Sequence, residues 1–223
     1  MISETVVVPS GKADLTGDLV IPAGARGVVL FAHGSGSSRL SPRNRAVADA
    51  LRRAGFGTLL MDLLTEDEER RDSVTAEYRF DVPLLAQRLV GAVDWLEQRP
   101  DTADLPAGLF GASTGAAAAL VAATERPRRV SAVVSRGGRP DLAEAALPLV
   151  AAPVLLVVGG DDEPVLGLNR RAAEALSATH AVHVVPGATH LFPEPGALEE
   201  VAEAAAGWFR DHLGDGGGDG PSR

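Results

Sequence analysis

The sequence predicts an α/β protein: a mostly parallel sheet of about seven to eight strands, helices on both faces and no lid domain. Three observations predict it. From Val28 onward, short apolar runs alternate with segments of helical period. Runs such as Val28–Ala32 and Gly57–Met61 are continuous rather than alternating, as strands buried on both faces are. The stretch between the apolar runs at Val130 and Val154 has room for one short helix but not for a lid.

Each element has its own signals. Thr5–Val8 and Lys12–Ile21 read as two strands joined by a turn at Ser10-Gly11, forming an antiparallel edge. Pro22 to Gly27 is a turn cluster, after which Val28–Ala32 runs into His33-Gly34-Ser35-Gly36-Ser37-Ser38. A helix follows from about Pro42 to Ala54, with Ser41 as N-cap, Pro42 at the first position and Gly55 ending it. The strand Gly57–Met61 ends at Asp62. Thr65 to Tyr78 is strongly charged through Glu66–Asp72 and reads as a solvated loop with at most a helical turn; a flap beside the site is the alternative. Phe80 to Gln98 has helical period and stops at Pro100. An apolar strand through Phe110 leads into a glycine turn and an Ala-rich helix to about Thr124. Then come a strand at Val130–Val134, a short helix at Asp141–Ala146, a strand at Pro153–Val158 and a helix from about Leu166 to Ala178. Ala181–Val185 is the last strand and Pro195–Leu213 the last helix. One domain over 1–213 is expected, and Gly214–Arg223, Gly-rich and polar, is expected to be a disordered tail.

Composition narrows the functions. A chain of 223 residues with 45% apolar and 23% charged residues suits one α/β domain. The formal net charge of −9 argues against nucleic-acid and anionic-membrane surfaces, both of which need a basic excess. The absence of cysteine excludes disulfides, thiolate catalysis and Cys-based metal sites. With no signal-peptide pattern and no apolar segment of spanning length, a cytoplasmic location is expected.

The chemistry lies where strands end. Gly111-Ala112-Ser113-Thr114-Gly115 has the form of a nucleophile elbow, a strained strand-to-helix turn that lifts a serine hydroxyl above the sheet. The bland alternative is a Gly-rich turn with Ser113 as a helix cap. A serine hydroxyl needs a base to take its proton, and that base needs a carboxylate to fix its tautomer. His190 follows the last strand; its alternative is a surface loop histidine. Asp161 and Asp162 follow the preceding strand, and by themselves they suit a helix N-cap. The order Ser113, Asp162, His190 matches the hydrolase order of nucleophile, acid and base. Asp162 is preferred because the Gly159-Gly160 turn carries the chain one residue further, with Asp161 as the rival acid. His33-Gly34-Ser35-Gly36 also admits a phosphate-binding turn, although no phosphate-loop pattern follows. His180 and His183 fall on opposite faces of a strand and are not expected to share a metal. His212 is expected to be exposed, and Trp95 and Trp208 to lie in or at the edge of the core.

Four stretches carry a family resemblance: Phe31–Ser38, Gly111–Gly115, Val158–Val165 and Pro186–Phe192. On them the chain resembles α/β-hydrolases, and specifically small dienelactone-hydrolase-like proteins of the type associated with phosphoribosyltransferases. Dienelactone hydrolases proper carry a cysteine nucleophile; here serine stands in its place, so the resemblance carries the fold rather than that substrate. It implies an oxyanion hole from the backbone N–H groups of Thr114 and Ser35. The expectation is a serine hydrolase cleaving a carboxylic ester or related acyl bond through Ser113, His190 and Asp162, without metal or organic cofactor. The expected partner is a small-molecule acyl substrate, with no nucleic acid or membrane, the protein being a monomer or homodimer. Thioesterase, acyltransferase or peptidase action on the same triad is the near alternative. A non-catalytic binding protein of this fold is the far one.

Overall fold

The computed structural model describes residues 1–213, so the expected disordered tail at 214–223 lies outside the described residues. Strands β1 (Ile2–Ser10) and β2 (Ala13–Ile21) form an antiparallel hairpin. Then follow β3 (Val28–Ala32), α1 (Pro42–Arg53), β4 (Gly57–Met61), α2 (Glu66–Thr75), α3 (Val82–Gln98), β5 (Ala107–Ala112) and α4 (Thr114–Glu125). The chain continues through β6 (Val130–Arg136), a 3-10 segment (Pro140–Leu149), β7 (Val154–Gly159), α5 (Glu163–Ala175), β8 (His180–Val185) and α6 (Ala197–His212). The eight strands form one sheet in the order β1-β2-β4-β3-β5-β6-β7-β8. From β4 to β8 all pairings are parallel, and β2 joins β4 antiparallel.

The central strands are apolar because helices cover both of their faces. Every residue of β3, β4, β5 and β7 is buried. On one face, Leu30, Leu109 and Val133 pack with Leu89 and Val93 of α3 and Ala118 of α4. On the other, Phe31, Phe110 and Val134 meet Val47 and Leu51 of α1 and Val201 and Phe209 of α6. Each such apolar side chain contributes about 1.5–3 kcal/mol when fully buried. Ser41 caps α1 through a bond from Asn44 N–H, with Pro42 in the first turn.

The structure departs from the sequence expectations at three elements. The charged stretch after Thr65 is a ten-residue helix, α2, rather than a loop. Thr65 and Glu68 form a reciprocal capping box there, and four acidic residues occupy the first turn, where the helix dipole favours them. The short helix expected at Asp141–Ala146 is instead a 3-10 segment kinked at Ala143 (φ −123°, ψ 23°), and Pro148 inside it lacks the N–H that would continue a helix. Helix α5 begins three residues earlier than expected, because Pro164 is seated in its first turn. No described helix is long and apolar enough to cross a membrane.

Candidate active site

Parallel strands gather their carboxyl ends, and the loops leaving them, on one edge of the sheet. At that edge β5 turns sharply into α4, and Ser113 takes φ 51° and ψ −120°, a left-sided conformation that side chains seldom adopt. Glycine is obligatory on both sides. A Cβ at Gly111 would lie 2.4 Å from Ala116 Cα, and one at Gly115 would lie 2.3 Å from the Ala32 carbonyl oxygen. Ser113 stands at the N-cap position of α4, yet its side chain makes no capping bond. Its backbone is fixed instead: Ser113 N–H donates to the Arg136 carbonyl (3.2 Å), and Arg139 N–H donates to the Ser113 carbonyl (3.1 Å).

The loop after β8 meets the end of β7. Gly160 N–H donates to the Val185 carbonyl (2.8 Å) and Asp161 N–H to the Ala188 carbonyl (3.0 Å). Asp162 N–H donates to the Gly159 carbonyl (3.2 Å), and it is the Asp162 side chain that faces His190. Asp162 Oδ2 lies 2.7 Å from His190 Nδ1. Asp162 is at the N-cap position of α5 but makes no capping bond. The carboxylate places the neutral imidazole's proton on Nδ1 and leaves Nε2 able to accept one. A Cβ at Gly137 would lie 3.5 Å from His190 Nδ1 and Cε1, so the residue after Arg136 packs on the ring. The elbow and the histidine therefore flank one strand end, the carboxyl terminus of β6.

The third strand end is His33-Gly34-Ser35. A Cβ at Gly34 would lie 3.2 Å from Ser113 Cβ, which brings this loop against the elbow. His33 is buried; its Nε2 accepts the Leu63 N–H (3.1 Å) and its Nδ1 lies 3.0 Å from the Gly34 carbonyl. The acceptor role of Nε2 puts the proton on Nδ1, where it bonds Gly34. Burial lowers the His33 pKa, against the opposing Gly34 bond and the nearby Asp62 and Glu69, so this ring is a neutral brace between two loops. Thr114 N–H, first in α4, has no acceptor among the described residues. Ser35 N–H is occupied: it donates to Thr114 Oγ1 at 3.0 Å, and the two hydroxyl oxygens are 2.8 Å apart.

Behind this loop stands α2. Asp72 is buried and accepts the N–H groups of Tyr78 (2.7 Å) and Arg79 (2.9 Å) and Arg79 Nε–H (2.8 Å). Burial raises its pKa, but these bonds outweigh that and hold it below the usual carboxylate range. The Arg79 carbonyl in turn accepts the Ser35 hydroxyl at 3.3 Å. One proton arrangement satisfies the whole chain: Thr114 O–H donates to Ser35 Oγ, and Ser35 O–H donates to Arg79. A cavity of about 670 Å³ lies between α2 and the loop, lined by His33, Gly36, Leu40, Leu64, Glu66 and Glu69 among others.

The family model described as "Dienelactone hydrolase family" matches residues 15–213. The chain belongs to the dienelactone hydrolase family. A dienelactone hydrolase of Anabaena variabilis is 59% identical, with a TM-score of 0.94 over 95% of this chain and 98% of its own. Est1E of Butyrivibrio proteoclasticus with bound ferulic acid is 16% identical, with a TM-score of 0.80 over 93% of this chain and 99% of its own, and shares the fold. Two Mycobacterium tuberculosis strains carry a protein named "Putative phosphoribosyl transferase" that is 57% identical over 210 residues, 94% of this chain and 46% of theirs. The chain thus spans about half the length of those curated relatives.

In this dienelactone hydrolase-family chain, all five singled-out residues, Ser35, Ser113, Thr114, Asp162 and His190, lie at the carboxyl edge of the sheet. Sequence reasoning missed the Asp72–Arg79 clasp, although the Thr65-x-x-Glu68 capping box that starts α2 was legible. It also missed the Thr114 hydroxyl, for which no signal exists, because hydroxyl partners depend on tertiary approach. His183 Nε2 pairs with Glu200 Oε1 of α6 (2.8 Å), and the His212 ring packs on Trp208 with centroids 4.4 Å apart. Among the described residues, no cluster of three or more His, Asp or Glu could hold a metal.

Proposed function

We propose that this chain is a serine hydrolase that cleaves a carboxylic ester or related acyl bond. Ser113 attacks the carbonyl carbon while His190 Nε2 takes its proton. Asp162 holds Nδ1–H and stabilises the imidazolium that forms. The tetrahedral oxyanion accepts N–H bonds from Thr114 and Ser35, each such donor contributing roughly 10²–10³ in rate. His190 then gives its proton to the leaving group, and water, activated by the same nitrogen, releases the acid from the acyl-enzyme. The single observation that carries this reading is the Asp162–His190 bond of 2.7 Å at the same sheet edge as a serine held at φ 51°. A cytoplasmic protein acting on a small acyl substrate fits the same reading.

A second reading, a non-catalytic binding protein, is favoured by one observation: Ser35 N–H already donates to Thr114 Oγ1. Catalysis requires that bond to be shared with, or given up to, the oxyanion. Turnover of short-chain aryl esters, alkyl esters and thioesters by the wild type, Ser113→Ala and His190→Ala separates the two. The hydrolase reading expects saturable turnover that both substitutions abolish, and the leading substrate class names the bond. Turnover equal to the buffer rate on every substrate, with a ligand still bound, would leave the binding protein.

A further inference from the structure

We infer that Arg136 and Arg43 form, with the N-terminus of α1, a binding site for a phosphoryl dianion. Arg136 ends β6 at the catalytic edge; its carbonyl holds Ser113 N–H (3.2 Å), and the next residue, Gly137, packs on His190. Alternation along β6 places its side chain with Ala132 and Val134, on the face covered by α1 and α6. There it is 7% exposed, and its Nη1 has no hydrogen-bond partner among the described residues. Arg43 is the second residue of α1, and its Nε is likewise buried without a partner. Among the described residues neither guanidinium makes an ion pair.

A buried charge without a partner is among the costliest arrangements a fold can hold, and a like charge beside it adds to the cost. Burial, and then the repulsion of Arg43, push the Arg136 pKa down to about 10. Pro42 has no N–H and Ser41 takes that of Asn44 (3.3 Å), so the first turn of α1 adds the Arg43 N–H alone, and it contains no acidic residue. Two uncompensated guanidiniums match a phosphomonoester, which carries about −1.5 to −2 charge and three strong acceptor oxygens. Guanidinium forks meet such oxygens in pairs. A carboxylate supplies half the charge. The phosphoryl group belongs either to a free anion or to an acyl substrate bound beside Ser113.

Thermal melting in inorganic phosphate against potassium chloride, at matched ionic strength, tests the site. It needs no turnover, so its failure and that of the hydrolase proposal are read separately. Phosphate a hundredfold above its Kd is expected to raise the wild-type Tm by about 5–10 °C. Arg136→Met is expected to melt no lower than wild type in chloride and to lose the phosphate shift. Arg43→Gln, a substitution on a half-buried helix residue, is expected to weaken phosphate binding at least tenfold and keeps the test open if Arg136→Met does not fold. No phosphate shift in the wild type, or an undiminished one in both variants, overturns the site. An equal shift from acetate overturns its assignment to a dianion. Competitive inhibition of ester turnover by phosphate places the group on the substrate, and binding without inhibition makes it a free anion; both support the site.

Discussion

Ser113 occupies a backbone conformation that costs an L-residue about 1–3 kcal/mol, and the elbow holds it there with two fixed hydrogen bonds. Glycine adopts positive φ without that cost. Ser113→Gly is therefore expected to raise Tm by a few degrees while abolishing turnover, measured by calorimetry and ester assay. A Tm below wild type would show that the serine is not strained. Asp162→Asn keeps the shape of the acid but permits the wrong tautomer of His190. It is expected to lower kcat by about 10⁴ with an unchanged fold by circular dichroism. His33 adds a pH dependence whose sign follows from its environment. Its folded pKa lies below the ordinary 6.5, so the unfolded chain binds the proton first as pH falls. The stability it contributes is complete above about pH 6.5 and declines as pH drops below that value. A series of melts across pH 5–8 should show this decline in the wild type, and His33→Gln should flatten it.

Among the elements, α2 matters through what it holds rather than what it buries. Its last turn supplies Asp72, which gathers Tyr78 and Arg79; Arg79 then receives the Ser35 hydroxyl, and Ser35 N–H meets Thr114. A charged surface helix is thereby tied to the loop that faces the elbow. Asp72→Asn leaves buried donors poorly matched, at a typical cost of about 1–3 kcal/mol. Its expected effect on function is a fall in kcat of about tenfold with KM little changed, since in the proposed mechanism the loop donor acts on the transition state. Equal loss in kcat for Asp72→Asn and for a stability-matched substitution on the hairpin face would reduce the clasp to scaffolding. Gly115→Ala tests the packing of α4 on β3, because the added methyl meets the Ala32 and His33 carbonyls at 2.3 and 2.5 Å. It is expected to fold poorly or to melt far below wild type.

For the whole molecule, the α/β class, the antiparallel hairpin at the sheet edge and the placement of every singled-out residue on one edge follow from features the sequence displays, whereas the strand order does not. Continuous apolar runs locate strands covered on both faces, and polar residues immediately after them locate the edge. Gly111 and Gly115 were legible through the elbow motif; the clash Gly111 avoids is local, with Ala116, while that of Gly115 lies across the fold, with Ala32 and His33. Asp161 and Asp162 were both legible as candidate acids, and only the fold brings the Asp162 carboxylate to His190. What was not legible depends on approach across the fold. Nothing in Val130–Arg136 says that the Arg136 side chain is buried with its Nη1 unpartnered among the described residues. Nothing in the charged run after Thr65 says that Asp72 turns inward while its neighbours stay in water. The extent of α2 was misjudged because composition was weighed above its capping box, which fixes a helix start whatever the polarity that follows.

The central claim is that Ser113 is an activated nucleophile. A fluorophosphonate probe phosphonylates such a serine, so intact mass after labelling tests the claim most directly. Wild type, Ser113→Ala and His190→Ala would be labelled side by side, with folding checked by circular dichroism. An activated Ser113 gives one adduct on the wild type, none on Ser113→Ala and slow labelling of His190→Ala. Folded wild-type protein without an adduct, or an adduct that survives Ser113→Ala, would contradict it.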